Sequence, residues 1–336
     1  MRQRSVLVAL VATLSVVLVT APALAQDIPY IKKTVKTLRL SHGVTAGSPY
    51  DLGAKRFAEL VDVYTRSELQ VKVFPNAQLG LEQDNAKDVQ LGTLDFTLIA
   101  INNASLWYRP LDIMIMPFIF RDREHANAVI NGPVGKELFE NHRKASGTRI
   151  VSIFEWGDRA IINKVRPITK PDDLKGVKIR VPKNPVMVDT YNAFGATATA
   201  IDWGELYSAL QSGVADGLEG PPQGMIDMKF TDFLKYYSFV NVFYGLSVVL
   251  MNDKAFFSLS PANQQAILRA GLEAGEYQRW VSTLSHRDGL ARLGEKGVKV
   301  NVVADRQAFV DRVKPVWDKY RAALGDQWFQ RVLAAK

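Results

Sequence analysis

The run Asp173-Leu-Lys-Gly-Val-Lys-Ile-Arg-Val-Pro182, with Trp203-Gly-Glu-Leu-Tyr-Ser-Ala-Leu210 and Asp216-Gly-Leu-Glu-Gly-Pro221 behind it, decides the fold. Val177–Val181 reads as a strand, stopped by Pro182, which has no N–H to give a ladder. Pro185–Phe194 and Trp203–Gln211 read as helices, the second closing at Gly213. Upstream, Ile150–Trp156 and Ala160–Asn163 read as two further strands. Strands alternating with helices in this way predict open α/β sheets.

The N-terminal half repeats the pattern. Thr37–Ser41 alternates as a strand, and Ser48-Pro49 opens a helix with Tyr50, Ala54, Phe57, Ala58 and Val61 on one face. Leu69, Val71 and Val73 alternate as a strand ended by Pro75, Asp84–Leu91 is a helix ended by Gly92, and Leu94–Ile99 is a buried strand. Gln90-Leu-Gly-Thr-Leu-Asp95 and Gln211-Ser-Gly-Val-Ala-Asp216 share Q-x-G-x-x-D. That echo is either ordinary helix-to-strand punctuation or the mark of two lobes of similar build. From Ala262 to Leu293 no proline intervenes, so one helix of roughly 45–50 Å is expected, long enough to lie along both lobes. Trp317, Trp328 and Phe329 fall in a helical tail, where core packing is expected.

Arg2 and Arg4, an apolar run from Val6 to Val19 and Ala23-Leu-Ala25 together read as a cleavable secretory signal peptide over residues 1–25. The run is shorter than the roughly 20 residues that span a bilayer. The chain has no cysteine, which excludes disulfides, thiolate metal sites, a cysteine nucleophile and a lipid-modified cysteine. An exported chain without staples depends on a large core, and 336 residues at 47% hydrophobic composition supply one. The formal charge of +8 is scattered among acids, which suits anionic ligands better than a nucleic-acid stripe. His42, His125, His142 and His286 are not at metal-ligand spacing, and no G-x-S-x-G, Walker A or G-x-G-x-x-G motif occurs. Gly132-Pro-Val-Gly135-Lys136 lacks the spacing of a phosphate loop and reads as a helix entry. A binding module is therefore favoured over an enzyme, with no cofactor, no metal and no catalytic residue assigned.

Polar and aromatic side chains collect at strand ends. Glu155-Trp-Gly-Asp-Arg159 ends one strand, and Arg180 lies one residue before the exit to Pro182. Ligands of open α/β sheets sit outside the carboxyl ends of strands, so Arg159 and Arg180 either face a cleft or form surface ion pairs. Trp203 is either core or a lid over a ligand, and Glu219-Gly-Pro-Pro222 reads as a rigid cleft loop.

These motifs, with Pro75-Asn-Ala-Gln-Leu-Gly80 and Leu94-Asp-Phe96, come in the order and spacing of the extracytoplasmic solute-binding subunits of tripartite ATP-independent periplasmic (TRAP) transporters, which the chain closely resembles from about Leu38 to about Ala323. The resemblance implies an α/β, two-lobed periplasmic binding protein with hinge strands and a long spine helix. Lobe I would comprise residues 36–155 plus about 243–280, and lobe II residues 156–242 plus about 281–336, with the ligand cleft between them. It further implies that Arg180 grips a ligand carboxylate in two parallel hydrogen bonds, that Arg159 is a second contact, and that Trp203 covers an apolar ligand face. Trp156, Glu155 and Asn184 are further candidates, and the softer first-lobe contacts are Asn102 and Asn103 in the loop after the Leu94–Ile99 strand and His42 and Tyr50 in the stretch Ser41–Tyr50. Gly220 stands where the family often has Asn, so Glu219 or a bulkier ligand would compensate. The implied partners are a small organic acid and the TRAP membrane subunits. The protein is expected in the periplasm as a monomer. Two tryptophans, two arginines and two asparagines suit a uronate or aldonate first; C4-dicarboxylate, 2-oxo or aromatic acids come next, and a periplasmic enzyme acting on such acids is the rival class.

Overall fold

The computed structural model describes residues 35–336; the signal-peptide reading of residues 1–25 lies outside them. Among the described residues nine strands form one sheet: β1 Lys36–His42, β2 Leu69–Phe74, β3 Phe96–Ala100, β4 Thr148–Asn163, β5 Lys178–Val181, β6 Thr197–Ala200, β7 Gly217–Gly220, β8 Tyr236–Asn252 and β9 Lys299–Val302. Their order is β2-β1-β3-β8-β4-β7-β5-β6, with β9 on the first half of β8. The arrangement is two-lobed because β4 and β8 are each long enough to serve twice. The second half of β8 carries β3, β1 and β2, whereas the second half of β4 carries β7, β5 and β6. At about 3.3 Å per residue, 17 residues of β8 reach roughly 55 Å, the span of both lobes.

Here the structure corrects the sequence reading. The two strands expected at Ile150–Trp156 and Ala160–Asn163 are one strand. The polar Glu155–Arg159 segment resembles a strand end because it lies at the waist, where the ladder shifts register between Glu155 and Gly157 and again between Arg159 and Ile161. Gly157 has φ +74° and pairs with Gly245 of β8, so the crossing is a bulged glycine pair. Glu219 and Gly220 likewise sit inside β7 and not in a loop after it.

The expected spine helix runs from Pro261 to Glu295, capped by Ser260, whose Oγ accepts from Asn263 N. It lies on the Pro49–Tyr64 helix and β4 at one end and on the Pro222–Asp227 helix at the other. Gly271 and Gly275, one turn apart, let its backbone rest directly on β4. One face of the sheet buries two separate apolar clusters, around Phe57 and Phe96 and around Leu206 and Phe230. The other face buries a continuous one, from Ile113 and Leu138 to Phe194, Phe309 and Phe329. Trp328 and Phe329 are buried, as expected of a core-packing tail, whereas Trp317 is only partly so. No described helix is long and apolar enough to cross a membrane.

Candidate ligand-binding cleft

Parallel strands aim their carboxyl ends at one edge, and β5 delivers Arg180 there. The side chain is 4% exposed. Its Nε donates to the Ile201 carbonyl at 2.8 Å, which fixes the fork, and the guanidinium lies 5.6 Å from the Trp203 ring centre. Burial first, and then the positive charge of Arg159, lowers Arg180 to about 10. No carboxylate of the described residues forms an ion pair with it. A buried cation of this kind is costly unless an anion arrives.

Arg159, on β4 beside the second register shift, is by contrast committed: its Nε forms an ion pair with Glu219 of the neighbouring β7. Burial pushes the Glu219 carboxyl up, and Arg159 and Arg180 oppose that. Trp156 is steered by β8. Its Nε1 donates to Ser247 Oγ at 2.9 Å, the hydroxyl that also accepts from Tyr50 at 2.8 Å. The Tyr50 and Trp156 ring centres are 3.9 Å apart, and Trp156 and Trp203 are 6.1 Å apart. The two indoles make one wall, and the Trp203 Nε1 is buried with no hydrogen-bond partner among the described residues.

The opposite wall belongs to the N-terminal strands and the helices after them. Asn102 and Asn103 lie on a short helix, Ile101–Ala104, and not on the expected loop. Asn102 is 2% exposed and its Nδ2 has no hydrogen-bond partner among the described residues. Asn103 donates to Glu82, whose Oε2 also accepts from Ala100 N at 3.2 Å. Burial raises the Glu82 pKa, and those hydrogen bonds and the charge of Arg180 pull it back. Lys183 and Asp202 close the rim with an ion pair at 2.5 Å. The walls bound roughly 740 Å³ of space, part of it open to solvent.

Of the residues singled out in the sequence, Arg180, Arg159, Trp203, Trp156, Asn102, Asn103 and Gly220 line this one cleft. Five others are engaged elsewhere. Glu155 is clamped between Arg279 at 2.9 Å, Arg123 at 3.7 Å and the Tyr244 hydroxyl, and its backbone exchanges hydrogen bonds with Gln278 of the spine helix. Glu219 holds Arg159. Asn184 caps the Pro185–Ala193 helix and donates to Asp112 at 2.9 Å. Tyr50 backs Trp156. His42 is buried against Asp51 at 3.2 Å. The sequence reading missed Glu82, Lys183 and Asp202, which line the cleft, and Ser247, which orients Trp156. Glu82 had a signal: it opens the Glu82–Leu91 helix directly after the Pro75–Gly80 motif, but the reading began that helix at Asp84. Ser247 had none, because only the register of β8 brings it to Trp156.

The His42–Asp51 pair has a pH consequence. Burial alone would raise Asp51, but bonds from His42, Gly47 N and Lys55 overcome it and hold the carboxyl well below its ordinary value. The folded protein then binds fewer protons here than the unfolded chain, whose Asp titrates near about 3.9. Asp51 therefore contributes its full stability above that pH and loses it as the pH falls further. Between about pH 5 and pH 3, below the range in which histidine titrates, the denaturant midpoints of the parent and Asp51→Asn should converge as the pH falls. A gap that widens over that range would refute this.

The family model described as bacterial extracellular solute-binding protein, family 7 (DctP) matches residues 40–323. The 2,3-diketo-L-gulonate-binding periplasmic protein YiaO of Escherichia coli is 31% identical over 82% of this chain and 84% of its own length. The C4-dicarboxylate-binding periplasmic protein DctP of Rhodobacter capsulatus is 29% identical over 94% of this chain and 95% of its own. The structure of the sugar acid binding protein DctPAm from Advenella mimigardefordensis in complex with galactonate superposes with a TM-score of 0.86 at 28% identity, covering 90% of this chain and 98% of that one. With the two-lobed fold and the cleft around Arg180 described, the match agrees with the resemblance carried by the strand motifs: the chain belongs to family 7 of the bacterial extracellular solute-binding proteins.

Proposed function

We propose that this protein captures a sugar acid, an aldonate or a uronate, in the periplasm and hands it unchanged to the membrane subunits of a TRAP transporter. The single observation that carries the reading is Arg180, a buried guanidinium fixed through Nε, with no carboxylate partner among the described residues and a cleft in front of it. Two terminal nitrogens in one plane match a carboxylate. The Trp156–Trp203 wall gives apolar sugar faces a surface to stack on, and Asn102, Asn103 and Glu82 supply polar groups for hydroxyls across the cleft. The site set we propose is therefore Arg180, Trp156, Trp203, Asn102, Asn103 and Glu82, with Arg159 held in place by Glu219.

Lobe I, residues 36–155 plus about 243–280, and lobe II, residues 156–242 plus about 281–336, contribute opposite walls of this site. A ligand that touches both walls stabilises the closed arrangement over any open one, which is a population shift. Small-angle scattering with saturating galactonate should give a smaller radius of gyration than without it. The same samples analysed by native mass spectrometry should carry the intact acid. Identical scattering profiles would count against closure, and recovery of a chemically altered acid would replace binding by catalysis.

A further inference from the structure

We infer that Glu82 makes the cleft selective for acids with one carboxylate and a chain of hydroxyls, and turns dicarboxylates away. This rests on the reading that Arg180 holds the ligand carboxylate. Three cations line the cleft, and two are already committed: Arg159 to Glu219, and Lys183 to Asp202. That leaves Arg180 as the one lining cation, among the described residues, with no ion-pair partner. A second ligand carboxylate therefore has no free positive charge to meet.

What it meets across the cleft is Glu82. This carboxyl is fixed by Ala100 N and Asn103 Nδ2, both on Oε2, and its Oε1 takes no hydrogen bond from the described residues. The Asn103 amide cannot simply turn over to present a different face, because its Oδ1 accepts from Gln83 Nε2 at 3.3 Å. Beside it, the buried Asn102 Nδ2 is a donor without a partner. The wall opposite Arg180 thus offers one bare acceptor and one bare amide donor. A hydroxyl satisfies both kinds of group, since it donates and accepts. An ionised carboxylate only accepts, so it leaves Glu82 Oε1 unserved and places two negative charges together.

Isothermal calorimetry on galactonate and galactarate tests this, because the two share their hydroxyls and differ by the second carboxylate; D-glucuronate and D-glucarate form a second pair. The parent protein should bind each monoacid on the order of 100-fold more tightly than its diacid, the scale of a like-charge contact. Glu82→Gln should weaken the monoacid and narrow that ratio at least about tenfold. Equal affinity for monoacid and diacid in the parent, or a Glu82→Gln change that moves both by the same factor, would overturn the inference. Should Glu82→Gln fail to melt cooperatively, the parent's ratio alone decides. Arg180→Ala separates the two levels. If it abolishes binding of every acid while the parent binds diacids equally well or better, the selectivity inference fails and the carboxylate grip stands. If it binds like the parent, or if the parent binds none of the four acids, the grip fails and the inference falls with it.

Discussion

Arg180→Ala should bind galactonate about 30- to several-thousand-fold more weakly than the parent, the affinity equivalent of roughly 2–5 kcal/mol for truncating one half of a buried charge pair. The size follows from where the desolvation occurs. Folding already strips water from this guanidinium, as its lowered pKa of about 10 records, so the ligand finds a cation with little solvent left to displace. Arg180→Lys keeps the charge but loses both the planar fork and the Nε bond to the Ile201 carbonyl, and should also bind markedly less well. The ligand-free variant supplies a second, opposite sign. Removing a buried cation that lacks an ion-pair partner should leave the empty protein at least as stable as the parent, whereas loss of a merely structural arginine would lower its melting temperature. Binding within a factor of about three of the parent would show that another residue takes the carboxylate. Arg159 is a poorer probe, because its removal strands Glu219, 1% exposed, without its counter-ion.

The contrast between these two arginines shows how far the sequence could be read. Local periodicity located β1, β2, β5, the capped Pro49–Tyr64 helix and the Pro261–Glu295 spine, because each is set by residues near one another in the chain. It placed Arg180 at a strand end for the same reason. It left open whether either arginine was paired, since pairing is decided across strands: Arg159 meets Glu219 only because β4 and β7 are antiparallel neighbours in that register. The same blindness hides the surroundings of Glu155, His42 and Asn184, none of which lines the cleft. Each carries chemistry suited to a ligand, yet each meets a partner from another segment of the chain: Arg279 and Tyr244, Asp51, and Asp112 respectively. The merged strand β4 was hidden because a waist crossing needs glycine and polar residues, the same composition that ends ordinary strands.

Gly271→Ala should destabilise the protein strongly, and local propensity predicts its sign wrongly. In an isolated helix, replacing Gly by Ala gains about 1 kcal/mol. At Gly271 a Cβ would stand 1.8 Å from the Val151 carbonyl oxygen of β4, and both groups are backbone, so no side chain can swing aside. Relief requires the spine helix to lift off the strand, which strains the Ser152 Oγ bond to the Gly271 carbonyl at 2.5 Å and the pair of bonds between Gln278 and the Glu155 backbone. Overpacking of a well-filled interface costs about 1–3 kcal/mol, and more where backbone must move, so a net loss of about 3 kcal/mol or more is expected. At about 2 °C per kcal/mol for a chain of this size, the melting temperature should fall by roughly 5 °C or more. Gly294→Ala is the matched control: it lies in the same helix, has nothing within 4 Å of the added carbon, and should hold or raise the melting temperature. The spine touches both lobes, so Gly271→Ala should also weaken galactonate binding at temperatures where the variant is still folded. Equal melting shifts for the two alanines would mean that the helix does not rest on β4 at this point.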